Sequence, residues 1–212
     1  MSNILIVGDS WGCGEWGNGN GVIQHKGLEL YLSENHKVKN LSEPGGCNLG
    51  AHEKIKEHHQ NYDYIIWVVT EPERNLWNWN YYYDKAKITD QYDKGKDMYA
   101  NCVESHERII NKIKDLCGWK TILIGGLHKL DDNWNLYNNF LYTDNWVDLI
   151  RKNDLKTWYV STHDLAPHHE RNARRKYLDF IASDRKHFWP DAIHPNRLSH
   201  KILCDTLEKQ IK

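Results

Sequence analysis

Short apolar runs rich in β-branched residues alternate along the chain with longer stretches whose apolar positions recur at helical spacing. That alternation is how a parallel sheet with covering helices reads in sequence. Five runs, at residues 3–7, 37–41, 64–69, 120–124 and 157–160, have the length of a buried strand. Between them the pattern predicts helices over 23–33, 49–60, 98–116, 144–152 and 170–182, with a last one over 197–210. The clearest period sits in Val103, Ile109, Ile110, Ile113 and Leu116, an apolar stripe opposite Glu104, Glu107, Lys112 and Lys114. The stretch 71–97 fits neither period and is too long for an ordinary connection, so it reads as an insert after strand three. With no fixed-period repeat and no Pro/Gly/Ser-rich linker, residues 1–212 are expected to form a single domain.

Composition removes several function classes. The 28 basic and 29 acidic residues leave a net charge of −1, so no basic field is present to hold a polyanion, and nucleic acid is not an expected partner. No apolar run approaches the roughly 20 residues that span a bilayer. Met1 leads within two residues into Ile4-Leu5-Ile6-Val7 with no basic, cleavable leader, and a cytoplasmic location is the expectation. Cysteines at 13, 47, 102, 117 and 204 form neither an even framework nor a C-x-x-C pair, which points to a reducing compartment and away from a Cys-rich zinc site. Ten Trp and 12 Tyr against 3 Phe are a bias toward rings that both stack and hydrogen-bond, as a sugar-binding surface would need.

The first strand runs into Gly8-Asp9-Ser10-Trp11-Gly12-Cys13-Gly14, which delivers a serine where a strand's carboxyl end meets a glycine-rich turn. In open parallel sheets ligands bind at that edge. Taken alone, the triplet also suits a plain turn or helix N-cap. Near the other end, Asp191-Ala192-Ile193-His194-Pro195-Asn196 forms a Pro-flanked loop ahead of the last helix. There Asp191 could accept the Nδ1 hydrogen bond of His194 and turn Nε2 toward a nucleophile. Any single one of 13 histidines is more simply a surface residue; the conjunction of the two blocks changes that.

With Ile6-Val7-Gly8-Asp9-Ser10 at one end and Asp191 to His194 at the other, the chain resembles the SGNH hydrolases, the GDSL esterase/lipase family. Asn40-Leu41-Ser42-Glu43-Pro44-Gly45-Gly46 is similar to the family's strand-two block. The resemblance implies a three-layer α/β/α sandwich around a flavodoxin-like, five-stranded parallel sheet. It implies Ser10 as nucleophile, His194 as base and Asp191 as its orienter, with the Ser10 and Gly45 N–H groups in the oxyanion hole and Gly46 as the neighbouring alternative. It also implies a site complete without metal or organic cofactor. The family's Gly-x-Asn-Asp after strand three is replaced here by Val69-Thr70-Glu71-Pro72-Glu73-Arg74-Asn75. Thr70, Arg74 or Asn75 would have to stand in for the asparagine, since one lost oxyanion donor costs roughly 2.7–4 kcal/mol of transition-state stabilisation.

The expected activity is therefore serine-dependent hydrolysis of a small acyl ester through an acyl-enzyme, with an O-acetyl group on carbohydrate as the favoured substrate. Trp11, Arg74, Trp77 and Trp79 are candidate substrate contacts; the aromatic insert reads more simply as packing against the domain. The rivals are a noncatalytic glycan-binding module on the same scaffold and a transacylase. Cys13 as a thiol nucleophile, a metal site at His163, His168 and His169, and a functional basic face at Arg171, Arg174 and Arg175 are each weaker than the bland readings of packed thiol, polar loop and solvated helix.

Overall fold

The computed structural model describes residues 1–16, 22–70, 98–126, 140–142, 146, 149–150 and 194–211, with backbone alone at 98–103 and 140–142. Its main sheet is built from β1 (Asn3–Val7), β4 (Lys37–Asn40), β5 (Tyr64–Val69), β6 (Thr121–Gly125) and β7 (Phe140–Tyr142), in the order β4-β1-β5-β6-β7. Every pairing is parallel. Numbered along the chain within this sheet, the order is 2-1-3-4-5, the doubly wound arrangement whose switch point lies beside the first strand.

Alternation within the strands makes the layers. Ile4, Ile6, Ile66, Val68, Ile122 and Ile124 face one core, shared with Leu28 and Leu32 of α2 (Leu28–Leu32) and Leu203 and Leu207 of α5 (Arg197–Leu207). Leu5, Val7, Ile65, Trp67, Val69 and Leu123 face the other, shared with Ile55 of α3 (Asn48–His58) and Ile109, Ile110 and Ile113 of α4 (Met98–Cys117). A sheet apolar on both faces needs helices on both, which is why these strands read as continuous apolar runs.

Three elements differ from the sequence pattern. The expected helix over 23–33 is instead a strand, β3 (Ile23–His25), followed by the short α2; β3 pairs antiparallel with β2 (Glu15–Trp16). Gly27 breaks the continuity with φ +52, and a Cβ there would stand 2.6 Å from the His200 ring, so only glycine admits this approach. On α4 the buried stripe runs through Ile110, Ile113 and Cys117, while Leu116 is 41% exposed. Four residues on from Ile113, Cys117 keeps the helical phase that Leu116 loses. The fifth strand of the sheet comes from Phe140–Tyr142, too short to show a period, whereas the expected strand at 157–160 lies outside the described residues. So do the insert 71–97 and the predicted helix 170–182; of the predicted helix 144–152, residues 146, 149 and 150 are described, and they are helical.

Among the described residues no helix is long and apolar enough to cross a membrane. The described cysteines 13, 47, 117 and 204 are all buried and unbridged.

Candidate active site

The carboxyl end of β1 passes tightly over β5. At Gly8, with φ +153, a Cβ would lie 2.7 Å from the Val68 carbonyl oxygen, so the glycine of the triplet is fixed by close packing of the two strands. Asp9 then caps the four-residue helix α1 (Ser10–Cys13): its carboxylate accepts from the Trp11 N–H at 2.9 Å and its carbonyl from the Gly12 N–H at 3.0 Å. The Ser10 N–H, first in the turn, is left without a partner among the described residues.

Ser10 is 7% exposed, and its Oγ lies 3.0 Å from Nε2 of His194, from the other end of the chain. With Nε2 unprotonated, the serine hydroxyl donates to it. His194 is held by the start of α5, where the Asn196 side chain caps the helix by accepting from the Leu198 and Ser199 N–H groups at 3.1 and 3.2 Å. Trp16 and Glu15, which follow α1 directly, also touch this loop: the Trp16 ring lies 5.6 Å from the His194 ring between centroids, and Glu15 accepts from the Arg197 backbone N–H at 2.9 Å.

The loop after β4 forms the neighbouring wall. Asn40 donates from Nδ2 to the Gly12 carbonyl at 2.8 Å and accepts from the Ser42 N–H at 3.0 Å, which ties this loop to α1. Glu43-Pro44-Gly45-Gly46 is a tight turn, closed by the Gly46 N–H donating to the Glu43 carbonyl at 2.9 Å, with proline second and Gly45 third at φ +66. The turn thus engages the Gly46 N–H. Beyond the turn, Asn48 reaches across to the end of β5, donating to the Thr70 carbonyl at 2.7 Å and accepting from the Thr70 N–H at 3.0 Å. The Thr70 N–H and carbonyl are therefore both engaged by Asn48.

One expectation changes, at Trp11, while Cys13 is the packed thiol that was expected. Trp11 is 2% exposed and packs edge-on against Trp146 with centroids 5.6 Å apart, so its ring belongs to the core and has no face for a substrate. Cys13 is buried, its thiol donating to the Asp9 carbonyl at 3.4 Å, and burial first, then the Asp9 charge, push its pKa up to about 12. A thiol so held stays protonated and is no nucleophile. Asp191, Arg74, Asn75, Trp77 and Trp79 lie outside the described residues, as do His163, His168 and His169. No group of three or more metal-ligating side chains occurs among the described residues.

Compared with known proteins, the chain matches no family model and no curated protein sequence. Solved structures do match. A lipase/acylhydrolase from Enterococcus faecalis superposes with TM-score 0.52 at 12% identity, over 100% of this chain and 95% of that one. A catalytic mutant of an acetylxylan esterase from Geobacillus stearothermophilus superposes with TM-score 0.50 at 17% identity, over 99% and 94%. The chain has the SGNH hydrolase fold. Within that fold, Glu15, Trp16, Asn40 and Asn48 are the site neighbours that sequence reasoning did not single out. Asn40 stands in the strand-two block without an assigned role, none of the others sits in a periodic run, and Glu15 and Trp16 lie most of the chain away from Arg197 and His194.

Proposed function

We propose that the protein is a serine-dependent hydrolase of small acyl esters working through an acyl-enzyme. One observation carries this reading: the 3.0 Å approach of Ser10 Oγ to His194 Nε2 at the carboxyl edge of a parallel sheet. A hydroxyl becomes a competent nucleophile when an imidazole within hydrogen-bond reach can take its proton as it attacks.

Ser10 Oγ attacks the ester carbonyl carbon while its proton passes to His194 Nε2. The carbonyl π pair moves onto oxygen, and the Ser10 and Gly45 N–H groups receive that charge. Collapse of the tetrahedral species breaks the bond to the alcohol oxygen, which leaves with the proton from His194. Water then attacks the acyl-serine, again giving a proton to His194, and collapse releases the acid and returns the proton to Ser10. Asp191, three residues before His194, is assigned the orienting role at Nδ1, and Asn75 or the Thr70 hydroxyl the third oxyanion donor. Arg74, Trp77 and Trp79 remain the assigned substrate contacts. No metal or cofactor enters these steps.

An acetyl ester on carbohydrate is the proposed substrate, supported by the Trp- and Tyr-rich composition and by the acetylxylan esterase among proteins of this fold. Labelling with a fluorophosphonate probe tests the reading. One equivalent is expected on the wild type and none on Ser10→Ala. Binding to glycans with no labelling points instead to a noncatalytic module, favoured by the altered block after β5. Transfer of acetyl to an added sugar acceptor in preference to water points to a transacylase.

A further inference from the structure

Glu15 and Trp16 are adjacent in the short strand β2, yet both are buried, at 1% and 9% exposure. A regular strand would send consecutive side chains to opposite faces. Here the pairing of β2 with β3 shifts register between these two residues, and such a bulge re-aims a side chain. The consequence is that both reach toward the loop bearing His194, 178 or more residues away in sequence.

Their contacts are complementary. The Trp16 Nε1–H donates to the Ser10 carbonyl at 2.8 Å, while the same indole lies against the His194 ring, tilted 41° with centroids 5.6 Å apart. One rigid ring thus touches the peptide of the serine and the imidazole facing its hydroxyl. Glu15 grips the start of α5. Its Oε2 accepts from the Arg197 backbone N–H at 2.9 Å and from Nε at 2.8 Å, and its Oε1 accepts from Nη2 at 3.3 Å. A buried carboxylate needs such pairing, and placing it on a backbone N–H three residues past His194 fixes where the loop enters the helix.

We propose that Glu15 and Trp16 are positioning residues for His194: Trp16 sets the plane and distance of the imidazole against Ser10, and Glu15 anchors the loop that carries it. The proposal rests on the hydrolase reading for its effect on rate and on geometry alone for its effect on the ring. A histidine side chain has two torsions, and each contact on its ring narrows them. A neighbouring ring that cannot turn restricts that freedom without adding a group to the reaction, and a misplacement of about 1 Å at a reacting pair can cost on the order of 10²-fold in rate.

The test uses the full chain, with imidazole nitrogen NMR of His194, assigned by His194→Ala, beside kcat and KM for p-nitrophenyl acetate. In Trp16→Leu the His194 ring signals are expected to move, and kcat to fall on the order of 10²-fold with KM little changed. Trp16→Phe keeps a ring against the imidazole while losing the bond to the Ser10 carbonyl and part of the indole's area, so it should retain most of kcat and near-native His194 signals. Glu15→Gln, which still accepts from the Arg197 N–H, should lie between wild type and Glu15→Ala. His194 signals that stay in place in Trp16→Leu, or a probe-labelled Trp16→Leu with wild-type kcat, overturn the positioning role and leave the hydrolase intact. A wild type that neither turns over ester nor takes up the probe overturns the hydrolase reading instead. The ring signals then decide the positioning claim alone, moved signals supporting it and unmoved ones sinking it. Should Trp16→Leu not fold, the same comparison is made with Trp16→Phe and Glu15→Gln against wild type, and a Glu15→Gln and Glu15→Ala pair with identical, wild-type kcat overturns the proposal.

Discussion

Asn48 holds the backbone of Thr70 from both sides, donating to its carbonyl at 2.7 Å and accepting from its N–H at 3.0 Å. Both residues are buried, at 1% and 4% exposure, and Thr70 is the point where β5 ends beside the Ser10 turn. A side-chain amide carries a donor and an acceptor side by side, and here it takes over where the strand's own hydrogen-bond ladder stops.

Replacing Asn48 by Ala removes both bonds and leaves two buried backbone groups without them. The expected cost is about 2 kcal/mol or more, read from urea denaturation, because an unsatisfied buried group costs about 1–3 kcal/mol. Asn48→Asp tests the donor separately. Its carboxylate still accepts from the Thr70 N–H but presents an unshared charge to the Thr70 carbonyl, so at neutral pH it should be no more stable than the alanine variant. A fully native Asn48→Asp would show that the Nδ2 bond contributes nothing.

Two glycines near Ser10 share a positive φ and differ in crowding. At Gly45 the φ of +66 places the residue in the left-handed region, but an added Cβ meets nothing within 4 Å. Gly45→Ala should therefore cost only the conformational penalty, about 1–2 kcal/mol. At Gly8 a Cβ would meet the Val68 carbonyl at 2.7 Å and its Cβ at 2.8 Å, and at a strand-packed site neither can retreat cheaply. Gly8→Ala should be clearly the more destabilising of the two in denaturation midpoints. Equal losses would mean that β1 and β5 can separate without cost.

Cys13 should be chemically silent. With its thiol pushed up to about 12 by burial and then by Asp9, the thiolate population near neutral pH is negligible. Iodoacetamide applied to the native protein should leave the Cys13 peptide unmodified by mass spectrometry, and Cys13→Ala should keep ester hydrolysis within a few-fold of wild type. Alkylation of Cys13 that abolishes fluorophosphonate labelling of Ser10 would contradict this, since it requires an accessible thiol.

The sheet was legible because each buried strand is a compact apolar run: β1 and β5 match their predicted bounds residue for residue, and β6 is displaced by one. The helix that became β3 was not, because Ile23 and Gln24 are exposed and the element is defined by its pairing with Glu15 and Trp16. Ser10 and His194 could be singled out because each stands in a local block with its own glycine or proline signature. Trp11 misled for the same reason: proximity in sequence to Ser10 says nothing of direction, and a first-turn helical side chain here points into the core against Trp146. Glu15, Asn40 and Asn48 act through bonds to residues distant in sequence, which leave no period and no spacing to read.

His200 makes the fold itself sensitive to acid. It is wholly buried, its Nδ1 accepting from the Leu28 N–H at 3.2 Å and its ring edge-on to Trp146 with centroids 4.8 Å apart. Burial lowers its pKa from 6.5 to about 3, with the nearby His25 pushing the same way and the Gly14 backbone opposing. Between those two values the unfolded chain binds a proton at this histidine that the folded chain does not. Stability from this group is therefore complete above pH 6.5 and is lost as pH falls toward 3, by about 1.4 kcal/mol per pH unit inside the window. In His200→Gln, whose amide oxygen can still accept from the Leu28 N–H, that loss is absent. The variant is expected to be less stable than wild type at pH 7, because the ring's packing on Trp146 is gone, and to close the gap as the pH is lowered to 4. Urea titrations of both proteins at intervals across this range check it: parallel stability curves would mean that His200 already carries its proton in the folded chain.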